Sequence, residues 1–273
     1  MATLLEIMAL AARLAREGSS GTVGADSTTS QLRDPALRNT GLQSDHLAGA
    51  WILTPDQAAA TDYQRQTTQR PFAPEVGGLT VTRPWAVAPA ADDTYYLFNR
   101  VPALQDPSHP ISWQMAVNDL MGSEQLRDRV EADLIAGQTR RFTIDAIDGW
   151  VPTRRSVVRV FGRTDETNYV DYDGSKEGRW YSIHEDVVTG SPSIVIETSW
   201  EPGDHLLMVD LIRPRPSLSL LTDDADYPLN AAAYGTVWRL KELLGAPAEE
   251  VARWQRDWSV RYQQEQPSFR VET

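Results

Sequence analysis

The spacing of the apolar residues changes repeatedly along this chain, and this alternation limits the folds that it can adopt. Stretches near the beginning, the middle and the end have apolar residues three or four positions apart, which is typical of amphipathic helices. Two longer stretches between them contain short β-branched and aromatic runs separated by Gly, Pro and Asp, which is typical of strands. Because each helix must bury its apolar face against another element, we predict an α+β fold. Its N-terminal, central and C-terminal helices form one helical bundle, into which two small β domains are inserted.

Glycines, prolines and changes of period set the boundaries of these parts. The bundle is predicted from three separate segments, each β domain from one segment, and a C-terminal tail follows. In that order the bounds are 1–18, 100–138 and 217–266, then 19–99 and 139–216, then 267–273. In the central segment, Leu126, Val130 and Leu134 recur every four residues, so residues 123–136 are predicted to form a helix.

The last predicted helix carries a row of large side chains. Val251, Trp254, Trp258 and Tyr262 recur at three- and four-residue intervals, so they lie on one face of the helix. Such a face indicates either a buried core or a contact between subunits. The sequence alone leaves both interpretations open.

The segment after this helix is short and contains two apolar residues. Pro267 ends the helix, and beyond it Phe269 and Val271 alternate with polar residues. One interpretation is a frayed terminus. The other is a segment that docks on a partner, either as an added strand or as an aromatic anchor.

Composition and motifs argue against several classes of function. The chain has 26 Lys and Arg residues against 38 Asp and Glu residues, a formal net charge of −12, which disfavours an electrostatic grip on DNA. The absence of cysteine excludes disulfides, thiolate nucleophiles and Cys-based metal sites. The sequence has no G-x-S-x-G, G-x-x-x-x-G-K or G-x-G-x-x-G motif, and its four histidines lack metal-ligand spacing. No apolar run reaches the roughly 18 residues that a membrane span needs. We therefore expect a soluble protein that is not an enzyme and has no catalytic residues, metal or cofactor.

Tryptophans and acidic loops leave a second class of function open. The tryptophans in or beside predicted strands are Trp51, Trp85, Trp150, Trp180 and Trp200, and either core packing or stacking on a carbohydrate would explain them. Paired carboxylates can cleave glycosidic bonds without a sequence motif. The candidate carboxylates are Asp165, Glu166, Asp171 and Asp173 in one loop and Asp223, Asp224 and Asp226 in another. A carbohydrate-binding or glycan-cleaving β protein is therefore an alternative.

Both acidic loops also have simpler interpretations. The run Asp171-Tyr172-Asp173-Gly174 looks like part of a calcium loop, but Trp180 stands where an EF-hand has its glutamate, which argues against calcium. Residues 223–226 are interpreted as a loop that also caps the helix beginning near Leu229.

The order of several sequence pieces points to a family. A Gly/Thr-rich β segment runs from Gly18-Ser19-Ser20-Gly21-Thr22 through Leu32-Arg33-Asp34 and Gly78-Leu79-Thr80-Val81 to Asp93-Thr94-Tyr95-Tyr96-Leu97. A helix with Ala116-Val117-Asn118-Asp119-Leu120 follows Pro110, and a strand begins after Val151-Pro152. Pro202-Gly203-Asp204-His205-Leu206 then leads to Pro216-Ser217-Leu218, the 223–226 loop and paired C-terminal helices. In this order, over most of its length, the chain resembles the head-to-tail connector, or neck adaptor, proteins of tailed bacteriophages.

The resemblance implies a structural protein that forms a homo-oligomeric ring, typically of twelve subunits, beneath the portal protein. The helical bundle would be the body of the ring, and Phe269, Arg270 and Val271 would dock on the portal. The other implied partners are a downstream neck or tail protein and DNA, which passes through without specific binding. Since acidic walls repel phosphates, we expect an acidic channel. The implied location is the virion neck, with the host cytoplasm during assembly. Another neck or tail component, such as a stopper, is a further alternative.

Overall fold

The structure is a computed structural model that describes residues 2–38, 47–57, 63–73, 75–123, 125–134, 141–146, 150–163, 169–172, 181–186, 193–198 and 205–265. The chain divides into two compact units. The first comprises Met1–Leu120 together with Ser217–Thr273, and the second comprises Met121–Pro216. The chain therefore leaves the first unit once and returns to it.

The first unit contains a six-stranded antiparallel sheet that curls into a half-barrel. In chain order its strands are β1 (Gly18–Thr22), β2 (Gln31–Arg33), β3 (Trp51–Leu53), β4 (Gln64–Ala73), β5 (Gly78–Val81) and β6 (Thr94–Phe98). In space their order is β1-β6-β3-β4-β5-β2. Buried side chains of this sheet, among them Ile52, Leu79 and Leu97, form one apolar cluster with Trp85.

Four α-helices occur in the described part of the chain, and their bounds are α1 (Leu4–Leu14), α2 (Trp113–Ser123), α3 (Leu229–Leu243) and α4 (Ala248–Glu265). A capping box begins α1: Thr3 Oγ1 accepts a hydrogen bond from the Glu6 N–H, and the Glu6 carboxylate accepts one from the Thr3 N–H. The buried face of α1 packs on both α3 and β1. Apart from the last three residues of α2, the helices and the six-stranded sheet belong to one compact unit.

The second unit consists mainly of antiparallel strands. In chain order they are β7 (Gln125–Leu134), β8 (Arg141–Ile144), β9 (Val157–Arg163), β10 (Tyr169–Tyr172), β11 (Tyr181–Asp186), β12 (Ser193–Thr198) and β13 (His205–Pro214). They form one sheet in the order β10-β9-β13-β7 and another in the order β11-β12-β8. Residues of both sheets, including Val160, Ile194 and Val209, share one buried cluster. The two sheets of the second unit therefore share one hydrophobic core.

The predicted fold class is wrong. The described residues form a sheet-rich protein with three antiparallel sheets, not a helical bundle that carries β domains as appendages. The physical reason lies in α1, whose apolar face is shared between a helix and a strand. Apolar spacing identifies the buried face of a helix but does not identify the element that covers it.

The prediction of a helix over residues 123–136 is also wrong. Residues Gln125–Leu134 form β7, which pairs with β13 over its whole length, from Gln125 opposite Pro214 to Leu134 opposite His205. Side chains four positions apart lie on one face of a strand and also on one face of a helix, so this spacing does not distinguish the two. Ten consecutive pairs with β13 decide between the two.

A buried tyrosine and a buried aspartate are paired within the first unit. The Tyr95 hydroxyl donates a hydrogen bond of 2.8 Å to Asp34 Oδ2, while Asp34 Oδ1 accepts one from the Ala36 N–H. Tyr95 is 1% exposed and Asp34 is 3% exposed. Burial, and then the hydrogen bond and negative charge of Asp34, raise the pKa of Tyr95 above its ordinary value. The folded protein therefore keeps a proton that the unfolded chain releases near pH 10.0.

This pair predicts a loss of stability at alkaline pH. A group whose pKa is raised on folding stabilises the protein fully below its unfolded pKa, and the contribution falls as the pH rises above that value. We expect Tyr95→Phe to lower the free energy of unfolding at pH 7 by about 1–3 kcal/mol, because Asp34 loses a buried partner. The variant should also lose stability less steeply than wild type above pH 10. Urea denaturation between pH 7 and pH 11 measures both quantities. Tyr96→Phe, at a half-buried neighbour on β6, is the matched control, and equal behaviour of the two variants would contradict the prediction.

Candidate functional site

The candidate site is the hairpin formed by α3 and α4, together with the point from which the C-terminal segment leaves it. Gly245, at φ +65°, turns the chain after α3, and Pro247 precedes α4. At the open end of the hairpin, Glu265 accepts hydrogen bonds from Asn230 Nδ2 at 2.7 Å and from the Ala231 N–H at 3.1 Å. The last residue of α4 is thereby tied to the first turn of α3, and the two helices run antiparallel.

Aromatic side chains fill the space between the two helices. The rings of Trp238 and Trp258 lie 5.0 Å apart, and those of Tyr234 and Trp254 lie 5.8 Å apart. Tyr262 stacks on Trp258 at 5.5 Å. Contacts of this kind add to the free energy of burying the rings. The hairpin is therefore held along its length by interlocking rings.

Three of the four residues predicted to form the α4 face make these contacts. Trp254 is buried, whereas Trp258 and Tyr262 are half-buried and Val251, one turn before Trp254, is half-buried as well. The contacts seen here lie within a single chain. A contact with a second subunit stays a prediction for the exposed parts of these side chains.

A partly buried cluster of ion pairs attaches the hairpin to the rest of the first unit. Lys241 Nζ lies 3.1 Å from Glu17 Oε1 and 3.3 Å from Glu250 Oε1, so it joins α3 to the start of α4 and to the segment after α1. Burial alone would lower the pKa of Lys241, but hydrogen bonds and charges from the two glutamates outweigh it and raise this pKa. The ammonium group therefore stays charged and keeps both contacts.

A second ion cluster joins the hairpin to α2. Arg239 Nε lies 3.5 Å from Asp119 Oδ2, and Arg239 Nη1 lies 3.0 Å from Glu242 Oε2. The guanidinium also lies over the Trp238 ring, 4.1 Å from its centroid. Sequence reasoning missed both clusters, because one acidic partner in each, Glu17 and Asp119, comes from a segment far from α3 in the chain.

The residues predicted to dock on a portal, Phe269, Arg270 and Val271, lie outside the described residues. What the structure describes is the point at which their segment begins. Glu265 is held by the two hydrogen bonds to the start of α3, so the segment leaves the hairpin at a fixed position.

The acidic loop before α3 has a structural role. Asp223 Oδ2 accepts hydrogen bonds of 2.7 Å from both the Ser219 and the Leu220 N–H groups, and these bonds, that from Leu220 first, lower the pKa of Asp223. The predicted loop is confirmed, but the predicted cap is wrong. Pro228, and not a residue of the 223–226 loop, is the N-cap of α3, and it has no side chain that could accept a capping hydrogen bond.

The described tryptophans do not form an exposed row. Within the described residues, Trp51, Trp85, Trp113, Trp238 and Trp254 are buried, and Trp150 and Trp258 are half-buried. Trp180 and Trp200 lie outside the described residues. Five of the seven described tryptophans therefore pack in the interior, which favours core packing for them.

The described neighbours of His184 do not form a catalytic relay with it. His184 Nε2 lies 2.9 Å from Ser182 Oγ and 3.7 Å from Glu197 Oε2. A relay needs the serine and the carboxylate on different ring nitrogens, but here both face the same one. Asp171 is in β10, while Asp165, Glu166, Asp173 and Gly174 lie outside the described residues. In the described part of the chain, no three acidic or histidine side chains gather as metal ligands.

Comparison with known proteins leaves the family of this chain open. No protein-family model matches the sequence. No curated protein matches it either. In the described residues, no helix has the length and apolar character needed to cross a membrane.

Proposed function

We propose that this protein is a structural virion protein of a tailed bacteriophage, a head–tail adaptor that assembles into a ring and joins the portal to the tail. The observation that carries the proposal is the α3–α4 hairpin, whose fixed end leads into the segment that the resemblance assigns to the portal. Interlocked aromatic side chains and the Lys241 ion pairs stiffen the hairpin. A rigid support lowers the entropy lost when an attached segment docks.

The mechanism of such an adaptor is interface complementarity. Phe269 would serve as an aromatic anchor and Val271 would lie on the same side of an extended segment, with Arg270 on the other side. Residues of this kind dominate protein interfaces when they fill a pocket at the centre. Ring formation raises the overall affinity for the portal, because the C-terminal segment of each further subunit binds at a high effective concentration once the first has docked.

The proposed channel wall is acidic. Each subunit carries a formal charge of −12, so a ring concentrates negative charge around its axis. Such a wall repels DNA phosphates within about 8 Å at physiological ionic strength and lets the polymer slide. A ring whose channel is lined mainly by arginines would contradict this part of the proposal.

Electron microscopy of the purified protein, alone and mixed with the portal protein of the same virus, tests the proposal. We expect rings, with twelve subunits each, seated on one end of the portal. Portal alone, and portal mixed with an unrelated acidic protein of similar mass, are the controls. A strictly monomeric protein that does not bind the portal at micromolar concentration would overturn the proposed function.

A further inference from the structure

The strand β7 lies at the end of one sheet of the second unit, and among the described residues it pairs only with β13. All ten residues from Gln125 to Leu134 take part in this pairing. In an antiparallel pair, alternate residues direct their N–H and C=O groups toward the partner, so half of the backbone groups of β7 point away from β13. An edge of this length is a template on which a further strand can pair. The sequence of β7 indicates which strand that is.

One face of β7 has opposite charges in its two halves. Successive residues of a strand alternate between the two faces, so the odd-numbered residues share one face. The charged residues of that face are Arg127, Arg129, Glu131 and Asp133. If a second copy of β7 pairs antiparallel about Val130, Arg127 lies opposite Asp133 of that copy. Arg129 then lies opposite Glu131, and twofold symmetry repeats both pairs. Opposite charges at facing positions stabilise a strand pair, whereas like charges destabilise it.

The other face of β7 is symmetric about the same residue. Leu126 and Leu134 are each four positions from Val130, so in this register each leucine lies opposite the other one of the second copy. Val130 lies opposite Val209 of β13, and Val209 lies opposite Val160 of β9. Val160 and Val209 are fully buried in the core shared by the two sheets. A row of valines therefore crosses the sheet and ends at Val130, and pairing about Val130 continues this row into the second copy.

We propose that in solution two copies of this chain associate through their β7 strands, antiparallel and centred on Val130, so that two four-stranded sheets become one sheet of eight strands. The charges select this register. Moving the centre by one residue, to Arg129 or to Glu131, places that residue opposite its own copy, and like charges then face each other. The contact needs neither the portal nor a ring, so it is independent of the proposed function.

Single cysteines test the register directly, because the chain has no cysteine of its own. We expect Val130→Cys to form a disulfide-linked dimer with oxidised glutathione, since the Cα atoms of facing residues lie about 4.5–5.5 Å apart, within the reach of a disulfide. Ala132→Cys is the matched control. Its two copies stand four residues apart along the strand, about 14 Å, which is too far to link. Non-reducing denaturing electrophoresis of the full-length variants measures both. Equal linking of the two, or no linking of Val130→Cys at about 100 µM protein, would overturn the proposal.

Exchange of the charges tests the same contact without a cysteine. Arg127→Asp places acidic residues opposite each other, and Asp133→Arg places arginines opposite each other, so each variant should raise the dimer dissociation constant at least tenfold. An equimolar mixture of the two should restore association, because the mixed pair regains opposite charges at both positions. These positions lie opposite apolar residues of β13, whereas Arg129 lies opposite the buried Asp210.

Analytical ultracentrifugation measures the dissociation constants, and circular dichroism checks that each variant is folded. Single variants that associate as tightly as wild type would show that another surface joins the copies. A mixture that associates no more tightly than its folded components would equally contradict the proposed pairing.

Discussion

Deletion of residues 267–273 is expected to abolish association with the portal while leaving a folded protein. The described contacts that hold α4 to α3 include the two hydrogen bonds of Glu265 and the ring pairs of Trp254 with Tyr234 and of Trp258 with Trp238, and Tyr262 stacks on Tyr227 just before α3. The deletion removes none of these. The thermal unfolding midpoint should therefore stay within about 2 °C of the wild-type value, since the deleted protein keeps these contacts.

Single substitutions in residues 267–273 should show whether Phe269 contributes more to portal binding than the residue next to it. We expect Phe269→Ala to weaken portal binding about 30-fold or more, the effect of losing an interface hot spot of about 2 kcal/mol. Ser268→Ala removes a small polar side chain next to it and should change the affinity less than threefold. Surface plasmon resonance with immobilised portal measures both variants. Unaltered assembly of the deleted protein, or equal effects of the two substitutions, would show that docking depends on another surface.

The sequence predicted the helices of the candidate site well because their signals are local. The row of four large side chains from Val251 to Tyr262 identified the face of α4 that contacts α3 in the structure. The glycine after α3 and the proline before α4 marked the turn. Each of these signals depends on residues within a few positions of one another, so a single sequence is sufficient to find them.

The contacts that fix these helices in the fold could not be predicted in the same way. Glu17 and Lys241 are 224 positions apart, and Asp34 and Tyr95 are 61 positions apart. Such pairs exist because the folded chain brings distant segments together, and neither partner carries a local signal. The same limit explains the wrong fold class. The pattern in α1 showed a buried face without showing that a strand would cover part of it.

Substitution of Gly235 is expected to cause a large loss of stability, because three helices approach one another at this glycine of α3. A Cβ atom at this position would lie 2.6 Å and 2.8 Å from the two methyl carbons of Leu120 in α2, and 2.8 Å from Trp258 Cδ1 in α4. Leu120 is fully buried, so it cannot move aside without disturbing its neighbours. We expect Gly235→Val to lower the free energy of unfolding by about 3 kcal/mol, since overpacking of a dense core costs about 1–3 kcal/mol and valine also restricts the helix.

A second glycine in a helix provides the control for this effect. Among the described residues, apart from its chain neighbours and the backbone of its own helix, nothing lies within 4 Å of the position that a Cβ at Gly122 of α2 would take. Gly122→Ala should therefore stabilise the protein by up to about 1 kcal/mol, because alanine favours the helix over glycine. Gly235→Ala combines the same helical gain with the close contacts, so its unfolding free energy should fall below that of Gly122→Ala by about 1–3 kcal/mol. Chemical denaturation of the three variants measures these differences. If Gly235→Ala proved as stabilising as Gly122→Ala, the three helices would not meet as closely as described, and the hairpin would lack the firm base from which its tail is proposed to reach the portal.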